Sequence, residues 1–271
     1  MNGIDKKIAI IGGGNLGQSI VDGLLKSGKI LSKNITVTRR KSHLIARYKK
    51  DKIQVHSDNK KAVNESEIIF ICVKPSETEA ILNEIKSELN PQKHIIISTI
   101  TGISIEKIKK IIVSETPVFR AMPNTAISIQ ESMTLIATNN STEKQKQIVI
   151  KLFKELGEAI IINEELMGSA TVLGACGIAF ALRFIRATMQ GGIEIGFDSN
   201  LAKIIASQTV KGASKLVLES GHHPEREIDK VTTPRGITIA GLNEMEHNGF
   251  SSALIKGLLN SYNKINEIDN K

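Results

Sequence analysis

The chain has 271 residues, 41% of them hydrophobic, and 36 Lys and Arg against 28 Asp and Glu give it a formal charge of +8. That length accommodates two domains with substantial cores, and the hydrophobic share is that of a soluble globular protein. The positive charge would suit a nucleic-acid partner, but with no Trp, only two Tyr and no nucleic-acid-binding motif we expect no such partner. The charge then reads as a solvated basic face beside an anionic ligand.

Residues 7–11 form an apolar strand candidate that runs into a glycine turn at Gly12, Gly14 and Gly17. Leu16, Ile20 and Leu24 then recur at helical spacing. In this order each glycine has a use: Gly12 permits the tight turn, Gly14 lets backbone approach a pyrophosphate, and Gly17 lets helix and strand pack closely. The phosphates then face a helix N-terminus. A second strand candidate, 35–38, ends in Thr38-Arg39-Arg40, where an acidic residue would accept from both ribose hydroxyls. Hydroxyl and guanidinium donors suit a 2′-phosphate instead, which points to NADPH, with NADH as the alternative. Arg39 and Arg40 on their own read equally well as a solvated surface pair.

Further strands are expected at 68–73, 94–98, 118–121, 133–137 and, briefly, 159–162. Helical patterns lie between several of them. Ser104 is a candidate N-cap ahead of Ile105, Ile108 and Ile112, and Thr142 and Gln145 have capping-box spacing. The alternation implies a mainly parallel, doubly wound α/β sheet. In such sheets ligands bind beyond the carboxyl ends of the strands, where 72–75, 98–102 and 121–125 emerge. Pro75, Pro123, Asn124 and Thr125 taken singly are ordinary turn chemistry; beside the glycine turn they become candidates for the nicotinamide end.

After residue 163 strands disappear. Helices are expected over 164 to about 192, 200 to about 220, and 238–268 with a break near Gly249. The domains are thus 1–163, nucleotide-binding, and 164–271, helical. The uncharged run 166–182 is short for a bilayer span, so no membrane is expected; its small residues suit burial against a second subunit. Cys72 and Cys176 lie far apart in apolar surroundings and read as small hydrophobes, although a disulfide stays open. No metal-ligand spacing occurs, and His222-His223 reads as an exposed loop pair. The N-terminus enters a strand almost at once without an apolar leader, so a cytoplasmic location is expected.

With these motifs in place the chain resembles the pyrroline-5-carboxylate reductases, which make proline from its cyclic imine using NAD(P)H. The resemblance runs over nearly the whole chain, through IGGGNLGQSI, ICVKP, STITGISI, RAMPNT and the C-terminal stretch containing VTTPRGITIAGLNEMEHNGF. It implies a Rossmann-type domain joined to an all-helical dimerisation domain, with active sites built partly from the neighbouring subunit in a homodimer or a ring of dimers. By that resemblance Gly12, Asn15, Leu16 and Gly17 hold the pyrophosphate, Thr38 and Arg39 the 2′-phosphate, and Asn59 the adenosine ribose. Val73, Lys74 and Pro75, with Ala121, Met122, Pro123 and Asn124, frame the nicotinamide and its ribose. Gly236, Ile237 and Thr238 receive the carboxylate of a cyclic imino acid, and the Thr238 hydroxyl meets the ring nitrogen. The chain departs from the family pattern where Gly174-Ala175-Cys176-Gly177-Ile178-Ala179-Phe180 replaces Ser-Gly-Ser-Gly-Pro-Ala-Tyr, and at Ala126, Arg186 and Arg235.

The implied reaction is hydride transfer to an imine carbon already electrophilic, so alignment matters more than an acid-base dyad. The competing expectations are reduction of another cyclic imine or a keto acid, and a non-catalytic NADP-binding regulator on the same fold.

Overall fold

The computed structural model describes residues 5–269, without the side chains of 266, 268 and 269. The chain divides into two compact units, Met1–Cys176 with Tyr262–Lys271, and Gly177–Ser261.

The first unit runs β1 (Ile8–Ile11), α1 (Asn15–Ser27), β2 (Ile35–Thr38), a 3₁₀ segment (Ser42–Asp51), β3 (Gln54–His56), α2 (Asn59–Asn64) and β4 (Ile68–Ile71). It continues through α3 (Thr78–Ile85), β5 (Ile95–Ser98), α4 (Ile105–Ile112), β6 (Val118–Met122), β7 (Ser132–Ala137), α5 (Glu143–Lys154), β8 (Gly157–Ile161) and α6 (Met167–Ala170). The strands make one sheet in the order β3-β2-β1-β4-β5-β6-β7-β8. β1 to β6 pair in parallel, β7 pairs antiparallel with β6, and β8 is parallel to β7. The turnabout has a simple cause: only residues 123–131 separate β6 from β7, fewer than the dozen or so a parallel crossover requires.

Period-2 alternation sends side chains to both faces of the sheet. Ile8, Ile10, Ile68 and Phe70 join one core with Ile20 and Leu24 of α1, while Ile69 and Ile71 join another with Leu82, Ile105 and Ile108. Helices therefore cover both faces, as a buried parallel sheet demands. The expected caps are in place: Ser104 accepts from the Lys107 N–H at 3.1 Å, and Thr142 and Gln145 close a capping box.

The second unit contains α7 (Gly177–Glu194), α8 (Ser199–Ser220), α9 (Pro224–Asp229), α10 (Ile237–His247) and most of α11 (Phe250–Asp269). Asp198 caps α8 by accepting from the N–H groups of Asn200 and Leu201, and Gly221 ends it with φ +65°. The single helix expected over 164–192 is continuous but not uniform: a 3₁₀ turn (Glu164–Leu166), α6 and a π-helical turn (Thr171–Cys176) lead directly into α7. In a stretch made almost wholly of small and apolar residues, the extra residue of a π turn leaves no mark on the hydrophobic period. Glu164–Glu194, 31 residues in all, is long and apolar enough to cross a membrane by length and composition, so shortness is no argument against a span.

Candidate functional site

β1 delivers the chain to a glycine turn at the edge of a cavity of about 530 Å³. Gly12 has φ +103°, and a Cβ on it would stand 2.4 Å from the Cys72 carbonyl oxygen. A Cβ on Gly17 would stand 2.2 Å from the Gly12 carbonyl oxygen, so α1 packs as closely as backbone allows. Gly14 differs, since a Cβ there would meet nothing within 4 Å. It caps α1 without a side-chain acceptor, which leaves first-turn N–H groups without a capping partner at the positive end of a 13-residue helix. A bare backbone wall and an uncapped helix start fit a pyrophosphate.

Among the sequence candidates, Gly12, Gly14, Thr38, Arg39, Arg40, Asn59, Val73 and Lys74 line this cavity. Asn15, Leu16, Gly17, Pro75, Ala121, Met122, Pro123 and Asn124 are not among its lining residues. The sequence reading missed Gly13, Lys41, Leu44, Cys72, Glu77 and Ile81, which also line it. Glu77 and Ile81 stand four apart just after the Lys74-Pro75 turn, a spacing that places them on one face and could have revealed them.

Hydrogen bonds hold the walls. The Thr38 carbonyl accepts from the N–H groups of Gly12 at 3.2 Å and Gly13 at 2.8 Å, joining the end of β2 to the turn. The Thr38 hydroxyl donates to Asn59 Oδ1 at 2.6 Å, and Asn59 Nδ2 donates to Glu84 Oε2 at 3.0 Å. Arg39 Nη1 donates to the Gly13 carbonyl at 3.0 Å, and Arg40 forms an ion pair with Glu77. Burial pushes the Cys72 thiol up to about 12 against a weaker opposing hydrogen bond with Thr99, which favours the protonated form at neutral pH. Cys72 and Cys176 are both free thiols.

At the end of β6 the Asn124 side chain is engaged within the chain. Its Nδ2 donates to the Gly174 carbonyl at 3.0 Å, and its Oδ1 accepts from the Ala126 N–H at 2.9 Å. Two residues before Met122, buried Arg120 donates to Glu164 Oε1 at 3.1 Å, and the same oxygen accepts from the Ile105 N–H at 2.7 Å. One carboxylate thus ties β6 to the start of α4.

In the second unit Gly236 caps α10 without a side-chain hydrogen bond, and Ile237 is 95% exposed. A Cβ on Gly236 would lie 2.5 Å from Thr233 Oγ1, and Arg235 before it has φ +58°. Thr238 is exposed in the first turn of this helix. The histidine pair lies in the loop where it was expected, His223 exposed, but both side chains have partners. His223 caps α9, and half-buried His222 meets Glu227 at 2.8 Å, where Lys230 and His222 together hold the Glu227 carboxyl below its ordinary range. Among the described residues no group of three or more His, Cys, Asp or Glu could hold a metal ion.

Residues 164–268 match the family model described as pyrroline-5-carboxylate reductase dimerisation, and residues 7–102 match one described as NADP oxidoreductase, coenzyme F420-dependent. The chain is 46% identical to pyrroline-5-carboxylate reductase 2 of Dictyostelium discoideum, covering 96% of this chain and 92% of that protein. It is also 46% identical to reductase 1 of the same organism, over 96% of this chain but only about half, 49%, of that longer protein. Among solved structures, Plasmodium falciparum pyrroline carboxylate reductase with NADP bound superposes with a TM-score of 0.90 at 25% identity, over 98% of this chain and 99% of that one. A reductase from Coxiella burnetii gives 0.86 at 26% identity, over 97% and 98%. With a mainly parallel sheet carrying a glycine-edged cavity, an all-helical second part and this similarity along nearly its full length, the chain belongs to the pyrroline-5-carboxylate reductase family.

Proposed function

We propose that the protein reduces 1-pyrroline-5-carboxylate to L-proline with NADPH, the last step of proline biosynthesis. The observation that carries this reading is the 46% identity to a reductase of that name over 92% of its length, in a chain whose glycine turn borders a cavity fit for a dinucleotide. Bound there, a reduced nicotinamide supplies a hydride to the imine carbon.

The chain's own residues bind and orient. The α1 N-terminus and the bare face of Gly14 receive the pyrophosphate, with Asn15, Leu16 and Gly17 contributing first-turn N–H groups. Arg39, laid against the Gly13 carbonyl, offers its charge to the 2′-phosphate, with Thr38 and Arg40 beside it and Asn59 at the ribose. Val73, Lys74 and Pro75 take the nicotinamide ribose, and Ala121, Met122, Pro123 and Asn124 frame the ring. In the second unit the N–H groups after Gly236 receive the substrate carboxylate, Ile237 among them. Thr238 donates a hydrogen bond to the ring nitrogen and holds the imine without titrating, and the proton that the nitrogen takes up as the hydride arrives comes from solvent.

The helical unit pairs, in this reading, with a second copy of the chain. Its apolar faces support that assignment: Leu182, Ile204 and Leu218 are 57%, 61% and 83% exposed. The same exposed residues would suit lipid, and the matched dimerisation model favours protein. A cytoplasmic location goes with this reading.

The test is spectrophotometric. Purified protein is given NADPH and, in turn, 1-pyrroline-5-carboxylate, a six-membered cyclic imine and a 2-keto acid. Fastest NADPH oxidation with 1-pyrroline-5-carboxylate is the expected result. A faster six-membered imine or keto acid reassigns the substrate, and NADPH binding without oxidation by any of them makes the protein a non-catalytic relative.

A further inference from the structure

The three side chains on which a preference for the 2′-phosphate rests are all engaged inside the chain. One terminal nitrogen of Arg39 donates to the Gly13 carbonyl, the Arg40 guanidinium is paired with Glu77, and the Thr38 proton lies on Asn59 Oδ1. The two carboxylates matter most. Glu77, itself on the cavity wall, cancels the charge that Arg40 would offer a phosphate dianion. Glu84 acts at one remove. By accepting from Asn59 Nδ2 it fixes the amide so that Oδ1, not Nδ2, faces Thr38. The Thr38 hydroxyl, its only proton spent on Asn59, can then only accept from a ligand, which suits a ribose hydroxyl and opposes a phosphate.

Resting on the dinucleotide reading of this cavity, we propose that Glu77 and Glu84 are specificity-determining residues that hold down the preference for the 2′-phosphate, so that the chain takes both phosphorylated and unphosphorylated cofactors. Each carboxylate acts through a neighbour, Glu77 through Arg40 and Glu84 through Asn59 and Thr38. Arg39 supplies what preference remains.

The test is calorimetric titration of the full chain with 2′,5′-ADP and with 5′-AMP, which needs no turnover. The parent protein binds both. Glu77→Gln and Glu84→Ala each raise the affinity for 2′,5′-ADP relative to 5′-AMP roughly two- to fivefold, the scale of an exposed ion pair. The gain from Glu77→Gln vanishes when Arg40→Gln is already present. Weaker or unchanged binding of 2′,5′-ADP by Glu77→Gln, with 5′-AMP still bound, overturns the proposal. So does a gain that persists without Arg40. Binding of neither probe by the parent overturns the dinucleotide reading itself, a distinct result. Unchanged thermal midpoints in the variants confirm that folding is not the variable.

Discussion

Along β1, β2, β4 and β5 every residue is buried, whereas across Gly177–Ser261 only Ala202 and Ala206 are. In the second unit α7 has no buried residue at all, and Phe184 and Phe250, whose rings meet edge-on at 6.1 Å, remain 39% and 38% exposed. A buried Leu or Ile contributes about 1.5–3 kcal/mol, so the first unit carries its own stabilisation and the second forgoes most of it in the isolated chain. Helices without a core are marginal. Two units of one chain thus differ in kind: one is held by its interior, and the other leaves its apolar side chains on its outside.

The strongest way to break this contrast is to make the outside polar. If the helical unit pairs with a second copy as proposed, Leu182→Glu combined with Ile204→Glu should dissociate that dimer in sedimentation and lower the thermal midpoint by more than about 10 °C, because several kcal/mol of interface burial would go. An unchanged sedimentation coefficient and midpoint would leave these faces without a partner. Phe70→Ala probes the opposite rule. Phe70 is fully buried with Phe153 edge-on at 5.8 Å, and its removal should cost about 3–5 kcal/mol in denaturant unfolding, the same loss at every protein concentration.

Smaller effects sharpen the division of labour. Thr238→Val should lower kcat on 1-pyrroline-5-carboxylate by roughly ten- to a hundredfold, the scale of a lost hydrogen bond to a reacting group, while NADPH titration stays as before. A matched fall in nucleotide affinity would move Thr238 out of the substrate role. Gly14→Ala should weaken NADPH about tenfold with no change in thermal midpoint, since the new methyl meets no protein atom and only a ligand would feel it.

Most strands of the first unit were legible because Ile, Val and Phe runs between helical periods announce a buried parallel sheet. β3 was not. Gln54-Val55-His56 has one aliphatic residue, sits at the sheet edge and pairs only with β2. The reversal at β7 was legible only as a short connection, and the sequence reading did not use it. At the site, the glycines declared themselves through spacing, Gly12 and Gly17 with the conformational and steric reasons expected of them. The direction of the polar side chains did not: that Arg40 turns to Glu77, Asn59 to Thr38 and Asn124 to Gly174 depends on residues 21 to 50 positions apart in sequence. Periodicity is silent on such pairs.

The π-helical turn at Thr171–Cys176 holds one residue more than an α turn would, and this sets where the Gly174 carbonyl meets the Asn124 amide. Each residue of a helix turns the next by about 100°, and the wide turn absorbs one such step. A single deletion between Met167 and Gly174 would let the turn relax to ordinary α geometry and carry the Gly174 carbonyl off the Asn124 amide. The length of this segment, and not only its composition, therefore decides whether the Asn124 amide at the end of β6 keeps its partner.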